Sequence, residues 1–324
     1  MSLCNVYGYG PPPPSCIGYL EDSVTWDTTY NPHGRYANLL LDDWFKRAFG
    51  SKDSKRLLEL LLQELIPERK IQGLEYVSQE HINLFPGRKD IRVDVECVDE
   101  EGARFLVELQ VAPQNWFSER ALYYASFSVI NQMKKGVDEY VFPPVYFIGL
   151  LDFSWHQGSD RVLYRYALKE LVSGELMTDK LNFIFLELPN CKKALTKEAT
   201  LLDNFCYVMH NMRLLADKPE GIKDNELFNL LFESADFRKF TPEEKTKYRL
   251  DMTTDRDRRN QLKKATEDGL RDGRAEGRAE GQAEEQIRSK QKMISVAKAL
   301  LADGMPPEKV CGITGLAMED IVDR

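Results

Sequence analysis

Histidine and clustered cysteine, the usual materials of zinc and thiol chemistry, are scarce in this sequence. The four histidines, His33, His81, His156 and His210, lie far apart. Their spacing offers neither an imidazole-rich metal site nor a Ser-His-Asp arrangement. The six cysteines (Cys4, Cys16, Cys97, Cys191, Cys206, Cys311) include no CxxC pair and no Cys/His cluster. They read as reduced thiols, not as a disulfide framework or a zinc site. No apolar run reaches the length that a membrane span requires. The first residues lack the basic-then-apolar order of an export signal, so the expected location is the cytoplasm, with no membrane partner. A surplus of positive charge is also missing. The 324 residues carry 44 Lys+Arg against 52 Asp+Glu, a net charge of −8. That excludes a chain which coats nucleic acid by bulk charge, but not an enzyme whose basic residues are local.

With 43% hydrophobic residues, a sizeable core is within reach. Residues 1–35 contain Pro11-Pro12-Pro13-Pro14 and no sustained periodicity, as expected of a disordered, Pro-rich arm. Leu39 to Phe49 recur at helical spacing and stop at Gly50. Leu57, Leu58, Leu61, Leu62 and Leu65 line a second helix ended by Pro67. Ile71–Val77, Ile91–Val98 and Arg104–Val111 follow as β-rich runs. Asp99-Glu100-Glu101-Gly102 between the last two is hairpin chemistry. Ser118 can cap a helix over 119–135, closed by Gly136. Val145–Leu151 is apolar throughout, the pattern of a strand buried on both faces. Val162–Ala167 and Phe183–Leu188 read as further strands. This order predicts an α/β sandwich around a mixed sheet, over residues 36–215.

A helical extension (216–266) and a charged, Gly-punctuated segment (267–324) come next. Gly269, Gly273, Gly277 and Gly281 recur every four residues, and each disfavours a helix by ~1 kcal/mol. The segment is expected to be a pliable linker; a close helix–helix contact is the alternative. Its tail reads as short helices broken near 304–307 and 312–315.

The chemistry concentrates on the hairpin. If the turn centres on Glu101, Asp94 falls opposite Glu108, with Cβ atoms ~4.5–5.5 Å apart. Two carboxylates so close repel unless a cation lies between them, and their hard oxygens suit Mg²⁺ or Mn²⁺. Gln110 shares a strand face with Glu108 and can donate to a water or a phosphate oxygen. The backbone carbonyl of Leu109 can complete the coordination. Such a metal polarises a bound water for attack on phosphorus. Acidic residues flanking a turn are also common on solvated faces, but a Glu-x-Gln amid apolar neighbours is costly to bury without a use.

The motifs Asp42-Asp43-Trp44-Phe45-Lys46-Arg47-Ala48-Phe49-Gly50, the Asp94 to Glu108-Leu109-Gln110 spacing, Arg120-Ala121-Leu122-Tyr123-Tyr124 and Gln132-Met133-Lys134-Lys135-Gly136 go together. In combination they resemble the PD-(D/E)xK nuclease family transposases, also called recombination-promoting nucleases, over roughly residues 38–300. The resemblance implies a restriction-endonuclease-like core and Mg²⁺-dependent cleavage of double-stranded DNA, linked to recombination or mobile elements. It places Asp94 at the family's metal-binding Asp and Glu108 at the acidic residue of the signature. Gln110 stands where the superfamily usually has Lys, which removes a cation from the site.

Around this site, Arg88, Lys89, Arg120 and Gln132 are candidate phosphate contacts. Glu64 is a candidate further metal carboxylate, with a solvated helix position as its bland reading. Trp116 and Phe117 can stack on bases, or simply anchor a core. The C-terminal helices are a candidate site of self-association. Two rival readings remain open at this level. One is an inactive relative that binds DNA or scaffolds; the other is a glycoside hydrolase using the same carboxylate pair without metal.

Overall fold

The computed structural model describes residues 34–77, 92–133, 136 and 139–321. Arg88, Lys89 and nearly all of the Pro-rich arm lie outside the described residues. Six strands form one mixed sheet: β1 (Glu75–Tyr76), β2 (Val95–Val98), β3 (Arg104–Gln110), β4 (Val145–Leu151), β5 (Leu163–Lys169) and β6 (Leu176–Glu187), in the order β1-β2-β3-β4-β6-β5. The β1-β2 and β2-β3 pairs are antiparallel, β3, β4 and β6 run parallel, and β5 returns antiparallel against β6. All seven residues of β4 are buried, as the unbroken apolar run requires of a central strand. Helices flank the sheet and a helical stretch follows it, consistent with the restriction-endonuclease-like α/β fold.

The hairpin turn sets the register. Asp99 Oδ1 accepts from the backbone N–H groups of Glu101 (3.0 Å) and Ala103 (2.8 Å), and Gly102 takes φ +84° to close the loop. A Cβ on Gly102 would also stand 2.9 Å from Pro143. Arg69 locks the turn from outside, its Nε 2.7 Å from Asp99 Oδ2. The resulting pairs run from Val98↔Arg104 to Val95↔Val107.

Helix α1 (Asp42–Phe49) buries Trp44, Phe45, Ala48 and Phe49, and Gly50 closes it by donating to the Lys46 carbonyl at 2.7 Å. A Cβ at Gly50 would meet that carbonyl at 2.8 Å and Val95 at 3.2 Å, so the end of α1 sits directly over β2. Helix α2 (Lys55–Leu65) buries its leucine stripe. On the other face of the sheet, α3 (Phe117–Ile130) packs Phe117, Ala121 and Ala125 against Phe147 and Phe185. Gly149 makes room there, since a Cβ would meet Phe185 at 2.9 Å and Phe117 at 3.3 Å. Helices α4 (Leu201–Asn211) and α5 (Glu226–Ala235) begin at side-chain caps, Thr200 and Asn225 respectively.

Several elements differ from expectation. Residues 71–77 contribute only the two-residue β1, and β2 begins at Val95, leaving Asp94 just outside the ladder. Helix α3 starts at Phe117, not after a Ser118 cap. Trp116 precedes it in the left-handed region (φ +65°), and Ser118 Oγ donates to Glu119 Oε2 instead. The helix stops at Ile130, where Asn131 closes it by donating to the Phe127 carbonyl at 3.0 Å.

The chain divides into two compact units at Arg249/Leu250. Residues 216–249 fold with the sheet: Ala37 donates to Ala235 O at 2.8 Å and Asn38 to the Tyr248 hydroxyl at 2.8 Å. The second unit consists of most of α6 (Pro242–Ala302), with α7 (Pro307–Thr314) and α8 (Met318–Ile321). α6 stays helical through all four repeat glycines. The Ala, Arg and Glu residues between them are strong helix formers, and ion pairs such as Arg259–Asp255 (2.7 Å) and Arg271–Asp268 (3.1 Å) add support along the exposed rod. Ala297, Val310 and Ile321 form a small separate core at its end. Among the described residues, no helix is long and apolar enough to cross a membrane.

Candidate active site

One step beyond Val95↔Val107 brings Asp94 opposite Glu108. The two residues grip each other's strands. Leu109 N–H donates to Asp94 Oδ2 at 2.8 Å, and Asp94 N–H donates to Glu108 Oε1 at 3.3 Å. Each carboxylate thus spends one oxygen on the backbone and keeps the other. Residue Glu108 is only 7% exposed. Burial, then the neighbouring Asp94 charge, pushes its carboxyl up to about 8, with Arg120 opposing. Burial raises Asp94 too, against the pull of the Leu109 N–H and Lys46. The hairpin therefore presents two acids that cannot comfortably both be charged.

Two cations approach from different helices. Lys46 of α1 places Nζ 3.3 Å from Asp94 Oδ1 and 2.7 Å from Asp42 Oδ1. Arg120 of α3 donates to Gln110 Oε1 at 2.5 Å and to Gln114 Oε1 at 2.6 Å. Gln110 is buried, and its amide N–H is spent on the Ala112 carbonyl at 2.8 Å. Tyr124, one turn along α3, meets the Arg92 backbone with its hydroxyl; burial and then the charge on Glu108 push its pKa up.

The structure brings together Asp94, Glu108, Gln110 and Arg120 from the expected set. It does not bring in Glu64, which is exposed on α2. Gln132 lies past the end of α3 and donates to the Ser128 carbonyl at 3.3 Å. The two stacking candidates separate: Phe117 is buried in the core, whereas Trp116 is 71% exposed. Lys46 and Asp42 were not singled out from sequence. Their i,i+4 pairing was visible; their approach to Asp94, on a distant element, was not.

A divalent cation fits this donor set. Asp94 Oδ1 and Glu108 Oε2 accept no backbone hydrogen bond among the described residues. Leu109 directs its N–H toward Asp94, and a strand residue's C=O faces the same edge as its N–H. That carbonyl lies where β2 has already ended. Among the described residues no group of three or more His, Cys, Asp or Glu side chains is placed for a metal. Two carboxylates and a carbonyl are hard oxygen donors of the kind a small divalent cation takes while keeping much of its water shell.

Residues 39–265 match the family described as PD-(D/E)XK nuclease family transposase. The chain belongs to this family. The match ends short of the roughly 300 that the sequence resemblance reached, and it covers the whole sheet together with α1 to α5. No curated protein and no solved structure matches the chain. Membership suggests a nuclease of the PD-(D/E)XK superfamily, whose members usually use divalent metals.

Proposed function

We propose that this protein is a divalent-metal-dependent DNA endonuclease of transposase-like lineage, with Asp94 and Glu108 at its active site. The observation that carries this reading is the buried Asp94–Glu108 pair, two acids side by side that each keep one oxygen off the backbone, with Lys46 beside that of Asp94. Burying such a pair is costly unless a cation shares it. Asp94, Glu108 and the Leu109 carbonyl would hold Mg²⁺ or Mn²⁺. When bound, the ion would supply Lewis acidity to the scissile phosphate and to a water.

The protein's own groups do the rest. Arg120 is held by Gln110 and Gln114 with its guanidinium beside the pair, where it can anchor a phosphate oxygen in a fixed geometry. Gln110 then serves as a positioning residue for Arg120. Arg88 and Lys89 remain proposed backbone contacts for double-stranded DNA, and the C-terminal helices a proposed site of self-association. The test is cleavage of supercoiled plasmid with and without Mg²⁺, beside Asp94→Ala. Cleavage that needs both the metal and Asp94 is expected. Equal cutting by parent and variant would remove the site. Metal binding without cleavage would favour the inactive, DNA-binding relative.

A further inference from the structure

The signature's usual lysine would deliver a positive charge from the strand position held here by Gln110. Gln110 is neutral and buried, with both ends of its amide in use: it accepts from Arg120 at 2.5 Å and donates to Ala112 O at 2.8 Å. The missing charge is nevertheless near. Lys46 Nζ stands 3.3 Å from Asp94 Oδ1, held from behind by Asp42 at 2.7 Å. The ammonium lies against both oxygens of Asp42 (2.7 and 2.9 Å) and, less closely, one of Asp94. The side chain is 38% exposed, so it can trade the looser contact for solvent or substrate. We propose that Lys46, carried by α1, is the catalytic cation of this site, taking over from the strand position that Gln110 occupies. This rests on the nuclease reading given above.

In the step concerned, the oxygen of a water bonds to phosphorus. The P–O bond to one sugar oxygen breaks, and its electron pair stays on that oxygen. A proton leaves the attacking water for a neighbouring water, and the departing sugar oxygen takes one from solvent. Lys46 donates a hydrogen bond to the attacking water or to the phosphoryl oxygen on which charge builds, a stabilisation realised mainly in the transition state. Arg120 does not fit this role. Two of its nitrogens are committed to Gln110 and Gln114, its Nε is buried without a partner, and its guanidinium lies 5.4 Å from the Phe117 ring centre. It is an anchor, not a group placed at the water.

The test uses the full chain in four forms: parent, Lys46→Ala, Lys46→Arg and the double variant Lys46→Ala/Gln110→Lys. Single-turnover cleavage of a duplex is measured at saturating Mg²⁺. Duplex affinity is measured in Ca²⁺, Mn²⁺ affinity by calorimetry, and Tm by calorimetric scan. Lys46→Ala is expected to lose about 100-fold or more in cleavage rate. Its duplex affinity should stay within about threefold, and Mn²⁺ should bind as well or better, because a cation beside Asp94 has gone. Added ethylamine, or lysine restored at 110, should recover part of the rate. A merely structural Lys46 would instead lower Tm and Mn²⁺ affinity together, and neither ethylamine nor the strand lysine would restore cutting; that overturns the proposal. Undiminished cutting by Lys46→Ala overturns it alone, while a parent that does not cut overturns the nuclease reading beneath it.

Discussion

Two buried glutamates sit on the same face of the sheet, in the strands on either side of β4, and they are treated in opposite ways. Glu187, at the end of β6, is completely buried and accepts from four donors. These are the backbone N–H groups of Trp155 (3.1 Å) and His156 (3.2 Å), the His156 ring at 2.5 Å and Asn190 Nδ2 at 2.7 Å. It ties two loops to the strand end. Glu108, in β3, is nearly as buried but has one long backbone contact at 3.3 Å and a second acid for a neighbour. The first glutamate is satisfied and holds structure; the second has one backbone donor and an acid beside it. What separates them is who meets the oxygens, since burial is almost the same.

The largest effect that can break this contrast is on cleavage. Glu108→Ala should cost about 1,000-fold or more in Mg²⁺-dependent cutting while leaving Tm unchanged or higher, because a strained buried acid is removed. Glu187→Ala should do the reverse. It should cost about 3 kcal/mol by urea denaturation, since several buried donors lose their acceptor, with the cleavage rate per folded molecule retained. If the two phenotypes were exchanged, the contrast drawn here would be wrong.

A pH titration of stability sharpens it further. The Glu108 carboxyl is held up to about 8 in the fold, against an ordinary 4.5. The folded protein therefore keeps a proton that the unfolded chain gives up. The stability this group contributes is full below pH 4.5 and is lost as pH rises through about 8. Metal-free parent should thus show a falling Tm over that window, and Glu108→Gln should not. Saturating Mn²⁺ should offset the fall in the parent. The smallest expected effect is at Gly149, between the two glutamates' strands. Gly149→Ala should cost ~1–3 kcal/mol, because its Cβ would press on Phe185 and Phe117.

The half of the site that lies on the hairpin was legible in sequence because it is local. Asp99 and Gly102 dictate the turn, the turn dictates the register, and the register sets Asp94 against Glu108. The sheet's parallel centre was legible for a similar reason, as Val145–Leu151 is almost wholly apolar. The helices' contributions were not. That Lys46 leans on Asp94 depends on how α1 docks over Val95, a matter of tertiary packing. Arg120 meets Gln110 only because α3 starts one turn before it, after a left-handed Trp116 that no propensity foretells.

The most direct test of the central claim is plasmid nicking by parent and Glu108→Gln protein, side by side, with Mg²⁺ and with EDTA. This nearly isosteric change keeps the fold and removes the charge that would hold the ion. The account predicts nicking only by the parent and only with Mg²⁺. Equal nicking by Glu108→Gln, or nicking by the parent in EDTA, would contradict it.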